Sequence, residues 1–390
     1  MTEKQYGGVT GRKTGESSIK NSEKFNKKNN IDNNALGRRR GSRALSRDII
    51  PEVNLKNPSE GASEALASDF ARQTLQTQNE RGRELGGAES KISNQQKILK
   101  AGKIASEVKE YAKTIIKKQM PLLEIAEKIE NKIRELGGKP AFPVNTSINE
   151  IAAHYTPSVN DSSIAYGLLK VDLGVHIDGW IADTAIPFDL ENSEQNEKLI
   201  QASKDALENA IELVSKKIFK KEILTTGEIG KKIQETIESK GFSPIINLSG
   251  HQIEQYNLHA GLTIPNIDNK STEIISPGSY AIEPFVTNGN GKIKDGKPSG
   301  IYMLTNPRTP RTPIAREVLN YISEEYQTLP FCSRWIHKKF GAKTLFALKQ
   351  LEENGSLHQF PQLVESSNSK VAQTEHTILI DDGKVIVTTR

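Results

Sequence analysis

The sequence predicts an α+β fold with a helical insertion, and three observations carry that prediction. Two pairs of amphipathic segments with three- and four-residue apolar spacing alternate with strand-rich stretches, so that the order of two helices, strands, two helices reads as a duplicated unit. Within Tyr166 to Leu190, two runs of strand formers, Leu168–Leu173 and Trp180–Phe188, flank Asp178-Gly179, a strong two-residue hairpin signal. Strand-like sequence returns after the second helix pair, is interrupted by further helical sequence, and closes in a C-terminal hairpin.

Composition bounds the answer. A chain of 390 residues has room for one large or two ordinary domains. No run approaches the roughly 18 apolar residues of a membrane helix, and the opening residues hold no apolar signal-peptide core. A cytoplasmic protein without a membrane partner is expected, and we expect a monomer. The single cysteine, Cys332, excludes an intrachain disulfide and thiolate zinc motifs, so any metal is held by oxygen and nitrogen. The net charge of +5 is uneven: residues 1–50 hold 12 Lys/Arg against 5 Asp/Glu, a local +7 that leaves −2 for the remainder.

Taken in order, residues 1 to about 90 are poor in large apolar side chains and rich in Gly, Ser, Asn, Lys and Arg, the composition of a disordered extension. Its basic cluster, Arg38 to Arg40 with Arg43 and Arg47, is suited to a polyanion such as RNA, or is simply a solvated tail. Ala62–Leu85 has the content of a frayed helix. The ordered domain is expected over 91–390. Ile98, Ala101, Ile104, Ala105, Val108, Ala112 and Ile115 form one helical stripe. Leu122, Ile125, Ile129, Ile133 and Leu136 form the next, opened by Pro121 and stopped by Gly137-Gly138. Beyond the hairpin, helices are expected over Ser193–Ile218 and Thr226–Lys240. Strands are expected at Ile245–Leu248, Leu262–Ile264 and Ser279–Val286, and the glycine-rich Gly289–Gly300 reads as a loop. Helices follow at Pro313–Gln327 and Ala342–Glu353, with extended chain at Leu357–Val364. Val371–Ile380 and Lys384–Thr389 then pair across Asp381-Asp382-Gly383.

Candidate chemistry starts in the hairpin. A two-residue turn places Asp172 opposite Ala185, so Asp183 becomes its diagonal neighbour on the same sheet face, about 7–8 Å away. Two carboxylates there can converge on one ion, or both can face water. Three later stretches set acid or imidazole groups in strand-like sequence: Gly250–Gly261 with His251 and His259, Tyr280–Phe285 with Glu283, and Val371–Thr377 with Glu375. Each alone is an ordinary wet-face group. Together they supply two Asp, two Glu and at least one His, donors suited to two hard or borderline divalent ions.

The ordered set KVDLGVHIDGWIADTAIPF, GHQIEQYNLHAG, YAIEPF and VAQTEHTI, with AFPVNTSINEIAAHYTP ahead of it, closely resembles the methionine aminopeptidases from about Ile98 to Arg390. The sequence between Glu283 and Glu375 resembles the insertion of the type 2, archaeal-like subfamily. The resemblance implies the pita-bread fold, two related helix-and-strand halves, with a winged-helix-like insertion over about 307–365. It implies five metal ligands, Asp172, Asp183, His251, Glu283 and Glu375, holding two divalent ions (Co, Mn, Fe or Zn), with Asp183 and Glu375 bridging them. It also implies removal of the initiator methionine from nascent chains whose second residue is small. In this reading Glu283 moves the proton, His154 and His259 contact substrate, and Phe142, Leu258, Phe285 and Phe360 line the methionine pocket. Phe360 stands where a tyrosine is expected. His376, beside Glu375, points the other way and packs behind the site.

Two alternatives share the fold: a prolidase-like metallopeptidase, and a metal-free relative that binds ribosomes or RNA. The intact ligand set opposes the second, as does the charge of the insertion, where 8 Lys/Arg face 6 Asp/Glu over 307–365. Contact with the ribosome or RNA through the basic tail remains compatible with an enzyme.

Overall fold

The computed structural model describes residues 92–390. The expected basic extension, its arginine cluster and the Ala62–Leu85 helix lie outside the described residues.

The first half contains α1 (Asn94–Ile115), α2 (Leu122–Glu135), β1 (Lys139–Pro140), β2 (Asn145–Ile148), β3 (Ile151–Ala153), β4 (Leu168–Ile177) and β5 (Trp180–Asp189). Helix α1 starts in a capping box, Ser93 with Gln96, and α2 ends where Gly137 takes a φ of 81°. Strands β4 and β5 pair antiparallel with Asp172 opposite Ala185 and Gly174 opposite Asp183. The turn residues Asp178 and Gly179 both have positive φ, as a type I′ hairpin requires. Val171, Leu173 and Val175 join Ile104, Val108, Ile125 and Ile129 in the core beneath the two helices. The alternate residues of β4, Asp172 among them, therefore face the other way.

The second half repeats the plan with α3 (Glu194–Phe219), α4 (Thr226–Glu238), β6 (Ser243–Pro244), β7 (Ser249–Glu254), β8 (Asn257–Pro265), β9 (Gly278–Ile282) and β10 (Phe285–Thr287). Leu199, Leu207, Ile211, Ile229 and Ile233 pack there on Ile264, Tyr280 and Ile282. The duplication extends to detail: isolated bridges Pro121–Ile164 and Thr225–Ile274 tie the start of α2 and of α4 to the residues preceding β4 and β9.

The remaining elements are β11 (Ile293–Leu304), α5 (Pro313–Glu325), β12 (Phe331–Cys332), α6 (Ser333–Phe340), a 3-10 turn (Gly341–Lys343), α7 (Thr344–Glu353), β13 (Leu357–Glu365), β14 (Val371–Gln373), β15 (His376–Asp381) and β16 (Lys384–Val387). The helices close a third core with Tyr302, Leu304, Phe331 and Leu357. Among the described residues four antiparallel sheets result, ordered β1-β4-β2 with β5 on β4, β14-β10-β6, β12-β11-β13-β3 and β16-β15-β9-β7-β8.

Several expectations are corrected. Much of the glycine-rich loop is strand: β11 begins at Ile293 and pairs with β13 through two register shifts, so its partner supplies the ladder that local propensity does not. Ile245–Leu248 is a turn between β6 and β7. Helix α6 was not anticipated, because its buried residues Arg334, Trp335 and Ile336 are consecutive and form no stripe. Val371–Ile380 is two strands in different sheets, broken at Thr374-Glu375.

Candidate active site

The five acid and imidazole donors arrive on separate elements. Asp172 and Asp183 project from the hairpin face turned away from α1 and α2. His251 lies on β7 opposite Ala281 of β9. Glu283 occupies the break between β9 and β10, where Pro284 has no N–H to continue a ladder. Glu375 occupies the break between β14 and β15: its N–H donates to Ala185 O at 3.2 Å, and its carbonyl accepts from Thr184 Oγ1 at 2.8 Å. Both glutamates thus sit between strands rather than within them, which frees their side chains from the alternation of a sheet face.

The donors converge. His251 Nε2 is 3.8 Å from Asp183 Oδ2 and 3.6 Å from Glu283 Oε1. Asp183, His251 and Glu375 each offer one atom within 4.8 Å of the others. Gln373, which the sequence reading did not single out, donates Nε2 to both Asp172 Oδ2 and Glu283 Oε2, at 3.3 Å each. Its position two residues before Glu375 was the one available signal. The water-facing alternative for the aspartates fails: Asp183 is 4% exposed, and Asp172, half-buried, turns a buried Oδ1 into the cavity.

Electrostatics sharpen the case for a cation. Burial raises all four carboxyl pKa values, Asp172 to about 7; Asp172 and Glu283 add repulsion at Asp183, and Asp183, Glu283 and Asp172 add it at Glu375. Oδ1 of Asp172, Oδ1 of Asp183 and Oε1 of Glu375 are buried without a hydrogen-bond partner. Clustered, underbonded carboxylate oxygens with one imidazole are the donors a hard or borderline divalent ion takes, so the residues fit such a metal.

One cavity is lined by all five donors, by His154 and His259, and by Phe142, Leu258, Phe285 and Phe360. Gly174 makes room for this wall: a Cβ there would lie 2.4 Å from Phe142 Cε1. Leu248, Ile301, Pro330 and Leu363 complete the lining and were missed: Ile301 and Pro330 fall between the assigned elements, and Leu248 and Leu363 lie in stretches whose apolar residues carry no signal of a cavity. Burial drives the pKa of both His154 and His259 down to about 4, so each is neutral near pH 7 and retains one N–H donor. The His154 ring meets Phe360 edge-on at 5.4 Å, and His259 meets His251 at 4.4 Å. His376 turns away as expected, with Nδ1 2.8 Å from Thr389 Oγ1.

Helix-backed antiparallel sheets around a buried carboxylate and histidine cleft define a metallopeptidase. The chain belongs to metallopeptidase family M24, whose model matches residues 96–382. It is 47% identical over 302 residues to a methionine aminopeptidase of Methanocaldococcus jannaschii, covering 77% of this chain and 99% of that protein. A relative of the same name from Pyrococcus abyssi is 45% identical over 298 residues, covering 75% and 98%. The fold is the pita-bread fold: a methionine aminopeptidase structure from Thermotoga maritima superposes with a TM-score of 0.55 at 22% identity, covering 77% of this chain and 98% of that one. No described helix is long and apolar enough to cross a membrane.

Proposed function

We propose that the protein removes the initiator methionine from nascent proteins and peptides whose second residue is small. The observation that carries this reading is the single cavity in which metal donors and an apolar lining meet. High identity to methionine aminopeptidases over most of the chain supports it, and supports the prolidase-like alternative less. Asp172, Asp183, His251, Glu283 and Glu375 would hold two divalent ions drawn from Co, Mn, Fe and Zn. Bound there, such ions activate water and polarise the scissile carbonyl. Glu283 carries the proton from the attacking water toward the leaving amine. Neutral His154 and His259 line the cavity where they can hydrogen-bond the scissile amide and the oxyanion that develops from it. Phe142, Leu258, Phe285 and Phe360 receive the methionine side chain.

The protein acts as a cytoplasmic monomer on emerging N-termini, with residues 1–90 as a ribosome- or RNA-contacting extension of the catalytic domain and 307–365 as its inserted subdomain. Release of methionine from Met-Ala-Ser, after chelation and titration with each metal, tests the activity; cleavage of Ala-Pro in its place overturns it. Ribosome co-sedimentation unchanged on deleting the extension removes that partner.

A further inference from the structure

Arg334 is the largest fully buried side chain among the described residues. It belongs to α6, yet its guanidinium reaches into the first half of the fold. Nη1 and Nη2 donate to the two carboxylate oxygens of Glu130 on α2, at 2.7 Å each. Nε donates to Pro157 O at 3.0 Å, and Nη2 also to Thr156 Oγ1 at 3.3 Å. Trp335 Nε1 adds a bond to Glu130 Oε2 at 2.8 Å. A buried ion pair is often no more stabilising than an apolar pair of the same volume, because both charges lose their water. What a planar guanidinium adds is direction: its donors fix where their acceptors lie.

Two of those acceptors, Pro157 O and Thr156 Oγ1, belong to the segment that carries His154. His154 has a φ of 60°, a left-handed conformation that a non-glycine residue keeps only when its surroundings enforce it. Residues 154–158 lie in no helix or strand, so other bonds must hold them. Tyr155 O accepts from Thr146 N at 2.7 Å, and Thr156 Oγ1 donates to Val144 O at 2.9 Å. Ser158 O accepts from Asp161 N at 3.2 Å, the His154 ring bonds the Pro361 backbone, and the Tyr155 hydroxyl bonds Asp161 Oδ2. Arg334 adds its two contacts at Thr156 and Pro157 from α6.

We propose that Arg334 is a positioning residue for the reaction: from the helical segment between Glu283 and Glu375, it seats the loop that presents His154 to the substrate cavity. The inference rests on the reading of His154 as a substrate-contacting group. In that role α6 is a working part of the site, and Glu130 is the anchor that orients the guanidinium.

The test is Glu130→Gln/Arg334→Met, which leaves no unpaired buried charge and keeps an acceptor for Trp335. In folded protein with unchanged metal content, kcat on Met-Ala-Ser should fall about 10- to 100-fold with KM little altered. In a His154→Ala background the same pair should cost less than about twofold more, because the group being positioned is already gone. Amide exchange over 146–157 should accelerate in either background. Full kcat in the folded double variant, or an equal loss in the His154→Ala background, overturns the proposal. A wild-type enzyme inert on Met-Ala-Ser, with exchange still accelerated in the variant, would sink the assigned function and leave the seat standing. Should the double variant not fold, Arg334→Lys keeps a buried charge beside Glu130 but removes the planar fork that reaches Pro157 O and Thr156 Oγ1, and the same readouts apply with a smaller expected loss.

Discussion

The hydroxyl of Thr377 bonds to both backbone groups of Asp183, accepting from its N–H at 2.7 Å and donating to its carbonyl at 2.8 Å. With the Thr184 and Ala185 bonds to Glu375, this clasp locks β5 against the start of β15. Two carboxylates far apart in sequence are thereby held as neighbours before any ion binds. Thr377→Val keeps the volume and leaves both backbone groups of Asp183 short of a partner in a buried site. It should cost about 2–4 kcal/mol in denaturant unfolding of the metal-free protein; a change below about 0.5 kcal/mol would show that the clasp is dispensable.

Asp183→Asn removes charge from the centre of the donor cluster while the clasp, made by the backbone, survives. Turnover of Met-Ala-Ser should drop at least about a thousandfold, the equivalent of roughly 4 kcal/mol of barrier. Metal content by elemental analysis should fall with it. Wild-type turnover at full metal content would refute the assignment.

Gln373 is 1% exposed and ties Asp172 to Glu283. Gln373→Leu leaves the two carboxylates facing each other without a shared donor. Metal affinity, measured by competition with a chelator, should weaken about 10- to 100-fold, as for other groups that orient metal ligands. An unchanged affinity would assign Gln373 to packing alone.

His259→Ala should lose about 10²- to 10³-fold in kcat, as when one oxyanion donor is removed, with metal stoichiometry intact. A parallel loss of metal would make His259 a ligand and revise the donor set.

His176 sets a pH dependence away from the metal donors. Its Nδ1 accepts from Gly179 N at 3.0 Å at the hairpin turn. Burial, helped by Lys139 and opposed by Asp178, lowers its pKa from 6.5 to about 4. Between those values the unfolded chain binds the proton more readily than the folded one. Stability is therefore complete above about pH 6.5 and falls as pH drops toward 4, by up to about 3 kcal/mol for this group. His176→Asn, whose Oδ1 can take the same bond, should flatten that part of the difference between melts at pH 7 and pH 5. An unchanged slope would exclude His176 as its source.

The sequence alone determined much of this protein. Stripes such as Ile98 to Ile115 specified the helices, because a buried face repeats every 3.6 residues whatever lies beneath it. The turn Asp178-Gly179 specified a register that put Asp172 and Asp183 on one face, because strand side chains alternate strictly. The motif order brought His251, Glu283 and Glu375 to the same reading through resemblance to a known family. Tertiary structure decided what local pattern cannot carry. It decided that the aspartate face is buried, that Gln373 spans two acids, that Ile293–Leu304 is strand, and that Arg334 reaches the His154 loop. Burial and hydrogen-bond partners are supplied by segments distant in the chain. Whether Asp183 meets water or Glu375 is therefore settled only when β15 closes over β5.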